Sequence, residues 1–219
     1  HMVANLALFG HSGLWGVPDI DRTETMIILG GNPMASNGSV WTVPDFRNRA
    51  KALQKRGGQL VVIDPRRTET AKIADRHLFI RPATDGLLLV ALLKAVLTHP
   101  ERPALPDYID NLDAVAEAVS GFDSGACAAQ CGVALPDIEW LADRMVTGPA
   151  ALYGRIGAAT QSFGTLNAWL IGLINIASGQ LDREGGLLFP TPLVDTVAMA
   201  GPGSVGRRHS RVSGHPLVM

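Results

Sequence analysis

The amino-acid sequence predicts an α/β fold in which helices cover both faces of a mostly parallel sheet. Hydrophobic residues make up 47% of the chain and aromatic residues only 5%, so the core must be aliphatic, as is typical of parallel sheets covered by helices. Short, continuous apolar runs alternate with segments of helical periodicity, which indicates strands buried on both faces. The predicted strands are Met26–Leu29, Gln59–Ile63, His77–Ile80 and Ala150–Tyr153.

The first two strands are joined by a predicted helix, Asp45–Arg56. Phe46, Ala50 and Leu53 recur at the spacing of one helix face, and Gly57 begins the glycine pair that would end the helix. The basic side chains of this helix are expected to face solvent, because the formal net charge of -1 gives no bulk attraction to nucleic acid or anionic lipid. Strand, helix and strand together form a βαβ unit.

The later helices are predicted from apolar stripes bounded by proline, glycine and aspartate. They are expected at Gly86–Thr98, in two short exposed pieces within Asp107–Cys131, at Leu135–Val146 and at Thr165–Ser178. Thr68–Asp75 is expected to form a turn of helix, and Val3–Phe9 a strand or the end of an element outside the chain. The helix at Gly86–Thr98 is apolar on nearly all sides but too short to span a bilayer.

Residues 3–190 are expected to form one Rossmann-like, doubly wound domain, and residues 191–219 an irregular tail that leads to a domain outside the chain. Residues 1–2 look like the scar of an expression tag. The abrupt start predicts an internal fragment of a longer protein, and the predicted location is cytoplasmic. Cys127 and Cys131 are interpreted as buried thiols in a reducing compartment, because their spacing and lack of partners suit neither a zinc nor an iron–sulfur site.

Polar or glycine-rich loops follow each predicted strand. Gly30 opens a GGNP loop after the first strand, Asp64 follows the second, Asp85 the third, and the segment GRIGAATQSFG the fourth. Ligands of open parallel sheets bind beyond the carboxyl ends of the strands, so two carboxylates there predict a site that reads a ribose or a purine edge. The alternative is that Asp64 only starts a turn before Pro65, and that Asp85 only caps the helix after it.

Four segments, taken in order, carry a resemblance to a known family: LGGNPMASN, VVIDPRRTETAKIAD, FIRPATDG and GRIGAATQSFGTLNAWLIGLINIASGQLDREGG. They resemble the large subunits of molybdopterin oxidoreductases of the dimethyl sulfoxide reductase family, which includes formate dehydrogenases and nitrate reductases. The resemblance extends from about Ser12 to Arg211 and is greatest to formate dehydrogenase-like proteins. It implies that the parent enzyme carries molybdenum or tungsten on a bis(molybdopterin guanine dinucleotide) cofactor.

The resemblance also implies which residues hold the dinucleotide, and it implies no catalytic or metal-ligating residue within this chain. Thr84 and Asp85 would read guanine, because a carboxylate accepts hydrogen bonds from N1–H and the 2-amino group together. The basic cluster of Arg207, Arg208 and Arg211 is expected near the pterin or the substrate funnel. The cofactor-binding residues implied are Gly30, Gly31, Asn32, Pro33, Met34, Ala35, Ser36, Asp64, Pro65, Arg66, Arg67, Thr68, Thr84, Asp85, Ile156, Gly157, Thr160 and Gln161.

The sequence departs from the family pattern in several ways. Ala83 stands where the family usually has glycine, and its methyl group could crowd the base or shift the loop. The cysteine cluster for a 4Fe-4S centre, the metal ligand and the carboxyl-terminal domain that completes the cofactor site are all lacking. These absences predict that the chain alone has no redox activity, and that its partners are the remaining domains of the parent chain and electron-transfer subunits. From the net charge and the helix lengths, no nucleic-acid partner and no membrane span are expected.

Two other functions fit the same pattern. The chain could be a non-catalytic scaffold homologue that keeps the fold without the cofactor, although three intact ligand loops argue against that loss. It could also be an unrelated nucleotide-binding module with a Rossmann-like fold, such as the central domain of a thiamine-dependent enzyme. Such a module is not expected to contain DPRRTETA and PATDG in this order.

Overall fold

A computed structural model describes residues 1–191, 194–195 and 199 and, as strands, 205–209 and 216–218. Its strands are β1 (Val17–Pro18), β2 (Thr25–Leu29), β3 (Gln59–Ile63), β4 (Arg76–Leu78), β5 (Ala150–Gly154), β6 (Leu187–Leu188), β7 (Val205–His209) and β8 (Pro216–Val218). Strands β4, β3, β2 and β5 form, in that order, one sheet in which all neighbours are parallel. The α/β class and the parallel sheet predicted from the sequence are therefore confirmed.

The helices fill the connections between these strands. They are α1 (Met2–Phe9), α2 (Pro33–Ser36), a 3-10 turn (Ser39–Trp41), α3 (Phe46–Lys55), α4 (Asp85–Leu97), α5 (Leu112–Ser120), α6 (Ser124–Cys131), α7 (Leu135–Thr147), α8 (Ile156–Ala159) and α9 (Gly164–Ala177). The helices predicted at Asp45–Arg56, Gly86–Thr98, Leu135–Val146 and Thr165–Ser178 occur with ends shifted by one residue at most. The two short pieces predicted within Asp107–Cys131 also occur, but α6 is not exposed throughout, since it buries Cys127, Ala128 and Cys131. Within the described residues, no helix is both long and apolar enough to cross a membrane.

The two faces of the sheet build two separate cores. Alternate residues of β2 such as Ile27 and Leu29 pack with α4, α7 and α9, whereas Met26 and Ile28 pack with α3 on the opposite face. This alternation follows from the twofold period of strand side chains. Helices on both faces make the domain doubly wound, and they place the strands' carboxyl ends together at one edge of the layers.

Buried amide side chains close the open edge of β5. Asn175 of α9 accepts a hydrogen bond from the backbone N–H of Leu152 at 3.0 Å and donates one to its carbonyl at 2.9 Å. Gln180 accepts from the backbone N–H of Ala150 at 3.2 Å. An edge strand otherwise exposes unpaired backbone groups, so these side chains replace a further strand.

Four sequence predictions need correction or completion. Val3–Phe9 belongs to a helix, because α1 packs on α9, where Gly172 makes room for Leu8; a short apolar run alone does not distinguish helix from strand. Strand β4 ends at Leu78 and not at Ile80, because β3 ends opposite it. Thr68–Asp75 forms hydrogen-bonded turns and no helix.

The predicted tail contains two short strands, since β7 pairs antiparallel with β8. Arg207 and Arg208 lie within β7, and Arg211 lies outside the described residues. Nearer the sheet, β1 pairs antiparallel with β6. The predicted position of the basic cluster beside a pterin or a substrate funnel stays a prediction.

Candidate functional site

The carboxyl ends of β2 and β5 form the topological switch point of the sheet. The chain leaves β2 towards β3 and β4 on one side and returns as β5 on the other. Backbone hydrogen bonds join the loops there: Gly30 N–H donates to the Ile63 carbonyl at 3.0 Å, and Gly157 N–H donates to the Gly30 carbonyl at 2.9 Å. The predicted ligand loops after β2, β3 and β5 therefore meet where ligands of this fold class bind.

Gly30 and Gly157 lie backbone against backbone. Gly30 has φ of +58°, and a Cβ atom built on it would lie 2.6 Å from the amide nitrogen of Ala158. A Cβ on Gly157 would lie 2.8 Å from Cα of Gly30. Gly30, predicted to let a ligand approach the backbone, thus also lets the loop after β5 pack against it. Any larger residue at Gly30 or Gly157 would separate the two loops.

Asn32 ties the first loop to the second. Its Nδ2 donates to Oε2 of Glu69 at 2.7 Å, and its Oδ1 accepts from the N–H of Thr70 at 3.2 Å and from the Thr70 hydroxyl at 2.7 Å. The hydroxyl oxygen of Thr70 in turn accepts from the N–H of Met34 at 3.1 Å. The side chain of Asn32 is therefore engaged within the protein.

The other predicted residues of the first loop start the short helix α2. Gly31 and Pro33 are buried and Met34 is half-buried, whereas Ala35 and Ser36 are exposed. The Ser36 hydroxyl donates back to the carbonyl of Asn32 at 3.1 Å. The loop thus presents a short exposed stretch of small residues at the switch point.

The second loop is shaped by Asp64. Its Oδ1 accepts from the N–H of Arg66 at 2.8 Å, and its backbone carbonyl lies 3.0 Å from Nε2 of His77. The turn-forming role considered for Asp64 is therefore real. Pro65, Arg66 and Arg67 are exposed, while Thr68 is buried and accepts from the N–H of Ala71 at 3.1 Å.

Asp85 and Gln161 come together from distant parts of the sequence. Asp85 is 6% exposed, and its Oδ2 accepts from Nε2 of Gln161 at 2.7 Å. Burial raises the pKa of Asp85, the hydrogen bonds from Gln161 and from its own backbone oppose the rise, and the nearby Asp64 charge adds to it. The N-cap of α4 is Thr84, whose hydroxyl donates to the Arg81 carbonyl, so Asp85 is not the N-cap but an acid in the first turn of the helix.

Ala83 has φ of +64°, in the left-handed region that favours glycine. The resemblance placed glycine at this position, and the backbone shows why a glycine is suited to it. Ala83 adopts the same turn before α4, but its Cβ makes this backbone conformation strained beside Thr84 and Asp85.

The third loop contains the short helix α8. Ile156, Gly157 and Thr160 are exposed, and the Thr160 hydroxyl donates to the Ile156 carbonyl at 2.8 Å. Arg155, which precedes them, was missed by the sequence prediction. An arginine directly after a buried strand is the signal that could have found it.

The two cysteines are buried in α6, and the backbone carbonyl of Cys131 accepts a hydrogen bond at 2.8 Å from the N–H of Arg81, which begins the loop that carries Asp85. Burial is the main cause that raises the pKa of the thiols of Cys127 and Cys131. Within the described residues, no group of three or more His, Cys, Asp or Glu side chains could hold a metal ion.

Known proteins share both the sequence pattern and this fold. No protein-family model matches the chain. The dimethyl sulfoxide/trimethylamine N-oxide reductase of Cereibacter sphaeroides is 25% identical over 85% of this chain and 24% of its own length. The assimilatory nitrate reductase of Haloferax mediterranei is 31% identical over 74% of this chain and 22% of its own. The chain belongs to the molybdopterin oxidoreductases of the dimethyl sulfoxide reductase family.

The likeness to this family extends to formate dehydrogenases and to the fold. The F420-dependent formate dehydrogenase subunit alpha of Methanocaldococcus jannaschii is 25% identical over 58% of this chain and 18% of its own. The structure of acetylene hydratase from Pelobacter acetylenicus covers 90% of this chain and 26% of its own, with a TM-score of 0.74 and 21% identity, which shows a shared fold. The chain spans about a fifth to a quarter of the length of the curated relatives it matches.

Proposed function

We propose that this chain binds the guanine dinucleotide part of a molybdopterin cofactor. The observation that carries the proposal is the Asp85 carboxylate, which is nine-tenths buried at the start of α4 and is bonded to Gln161 across the site. Burying a carboxylate without a cationic partner is costly, so the site is built to receive hydrogen-bond donors. Family membership and the position of the loops at the switch point support the same ligand.

Guanine provides the donors that Asp85 requires. Its N1–H and 2-amino groups lie side by side, and charge-assisted hydrogen bonds to a carboxylate are stronger than neutral ones. Adenine has an acceptor at N1, which the carboxylate would repel because both groups are hydrogen-bond acceptors. The Gln161 bond keeps the carboxylate in place, so recognition needs little rearrangement.

The remaining loops would hold the sugar and the phosphates. Asp64, whose charge acts on Asp85, suits ribose hydroxyls, while the exposed small residues of the first loop admit phosphates close to the backbone. Gly30, where a Cβ would meet Ala158, sets how closely the phosphate loop approaches the loop after β5. Molybdenum or tungsten, when bound, supplies the redox chemistry, and this chain supplies binding and orientation.

Nucleotide-binding calorimetry tests the base preference. We expect GDP to bind about tenfold or more tightly than ADP, because a buried polar group left unpaired costs roughly 1–3 kcal/mol. IDP, which lacks the 2-amino group, should lie between them. Asp85→Asn should abolish the preference, since its amide presents donors towards the donors of guanine.

Asp113→Asn is the matched control, because Asp113 is also an acid in the first turn of a helix but is exposed. It should leave all three affinities unchanged. Equal binding of GDP, IDP and ADP, or no binding at all, would favour the scaffold or the unrelated nucleotide-binding interpretation.

We further propose that the whole protein is a molybdenum or tungsten oxidoreductase, formate dehydrogenase-like, with a 4Fe-4S centre and partner domains or subunits outside this chain. The chain by itself is expected to be inactive. Robust formate- or nitrate-dependent reduction of a dye by this chain would contradict that expectation.

A further inference from the structure

Arg155 is a half-buried cation directly after β5, at the switch point. Its Nε is enclosed by protein and has no hydrogen-bond partner among the described residues, and none of the ion pairs within that part of the chain includes it. A guanidinium stays charged at any pH a protein tolerates. Because a buried donor without a partner is costly, the partner of this Nε is expected to be a group outside the described chain.

A cavity of about 60 Å³ adjoins Arg155 between α1, β5 and α9. Asn5 and His1 also line this cavity, and Nδ2 of Asn5 and Nε2 of His1 are buried without a partner in the described part of the molecule. Arg155 and the Asn5 amide nitrogen can only donate hydrogen bonds. A buried water needs roughly 10–15 Å³, so the cavity has room for a few waters or one compact anion.

The charges around the cavity favour an anion over water alone. None of the ion pairs among the described residues gives Arg155 a carboxylate partner. An anion placed in the cavity would balance the charge of Arg155 and accept hydrogen bonds from its unpartnered Nε and from Nδ2 of Asn5.

The position of Arg155 connects this cavity to the proposed phosphate loop. A Cβ atom built on Gly31 would lie 3.5 Å from Cβ of Arg155, so the stem of the arginine packs against the first loop. The guanidinium is therefore carried at the edge of the loop from which phosphates are expected to be bound.

We propose that Arg155 pairs with a phosphate of the bound dinucleotide, with Asn5 as a second donor. The inference rests on the proposed function for the nucleotide, but its own chemistry requires only a compact phosphate anion. The planar fork of arginine matches phosphate oxygens in a bidentate manner. It adds a charged side chain to the phosphate site proposed at the backbone of the first loop.

Calorimetry with GDP, guanosine and inorganic pyrophosphate tests this pairing on the whole chain. The unaltered chain should bind GDP more tightly than guanosine and should bind pyrophosphate. Arg155→Gln should weaken GDP about tenfold, to near the guanosine level, and leave guanosine unchanged. Arg155→Lys should keep part of the effect, because it keeps the charge but loses the fork.

Arg47→Gln is the matched control, because Arg47 is an exposed arginine on α3 and should change none of these affinities. Thermal unfolding gives a second readout. Arg155→Met should unfold at a higher temperature than the unaltered chain in anion-poor buffer, and pyrophosphate should no longer raise its unfolding temperature. If that variant does not fold, the Gln and Lys variants carry the test.

The inference is overturned if Arg155→Gln keeps the full preference for GDP over guanosine, or if the unaltered chain does not respond to pyrophosphate. The proposed base site fails separately. Loss of guanine preference with intact, Arg155-dependent pyrophosphate binding would overturn the guanine assignment and support the phosphate pairing.

Discussion

On the β3 side of the switch point, Asn32 uses both ends of its amide group, bonding Glu69 and Thr70 and thereby fixing two loops to one another. On the β5 side, Arg155 and Asn5 have buried nitrogens without partners among the described residues. The two sides differ most clearly at Asn32 and Arg155, because the protein completes the hydrogen bonds of the Asn32 side chain but not that of Arg155 Nε. On the β3 side, Nδ1 of His77 also lacks a partner among the described residues.

That difference separates residues that hold the loops in place, here called the frame, from residues that remain able to bind a ligand, here called the binding surface. A fully satisfied polar network stiffens the structure and specifies one geometry, whereas unsatisfied buried groups are costly and persist where a ligand or function completes them. Asn32, predicted from the sequence as a ligand residue, belongs to the frame by its contacts. Asp85 and Arg155 can still form hydrogen bonds with a ligand. The Asp85 carboxylate can accept from further donors, and the Arg155 guanidinium can donate to an acceptor.

Gly30→Ala should produce the largest effect, because it breaks the contact between the two sides. The new methyl group would meet the Ala158 amide at 2.6 Å in a left-handed backbone conformation. Steric and conformational costs together suggest a loss of about 3 kcal/mol in the free energy of unfolding. Urea unfolding followed by circular dichroism measures this loss.

Gly57→Ala is the control for Gly30→Ala. Gly57 also has positive φ, +89°, but nothing lies within 4 Å of a Cβ built there. It should lose only about 1 kcal/mol, the cost of the backbone conformation. Equal losses in the two variants would show that the loop contact at Gly30 does not matter for stability.

Asn32→Ala should have the next largest effect, since it removes the frame on the β3 side. It leaves the N–H and the hydroxyl of the buried Thr70 without their acceptor, at a cost of about 2 kcal/mol. The unfolding temperature should fall by roughly 4–8 °C. Differential scanning calorimetry measures the shift.

Asn48→Ala removes only an exposed bond to Asp45 and should change stability by less than about 0.5 kcal/mol. If Asn32→Ala were as mild as this control, and instead abolished nucleotide binding alone, Asn32 would be a ligand residue and the comparison of the two sides would be wrong.

Sequence patterns predicted what depends on local periodicity. The strands β2, β3 and β5 and the helices α3, α7 and α9 follow from apolar runs and from glycine or proline boundaries, and the loops at their ends were located correctly. The helical state of α1 depends on its packing against α9, which no local pattern contains.

Within the site, pairs far apart in sequence could not be predicted. Asp85 and Gln161 are 76 positions apart, and Asn32 and Thr70 are 38 apart. Which partner each polar side chain finds depends on how the loops meet after folding. The residue types pointed to a nucleotide site, whereas their division into frame and binding surface required the structure.

Asp85→Asn should have the smallest effect on stability and the opposite sign. The fold raises the pKa of Asp85 above its ordinary value of 3.8, mainly by burial, so the ionised form is disfavoured in the folded state. Any stability from the protonated acid is present below that ordinary value and is lost as pH rises through the folded pKa. The asparagine variant should therefore match the unaltered chain in acid and become modestly more stable at neutral pH, as measured by unfolding temperature against pH.

Saturating GDP should narrow the difference in unfolding temperature between the two chains at neutral pH, because guanine satisfies the ionised carboxylate. A variant that is less stable at neutral pH would mean that the donors already within the protein satisfy Asp85, which would place it in the frame beside Asn32.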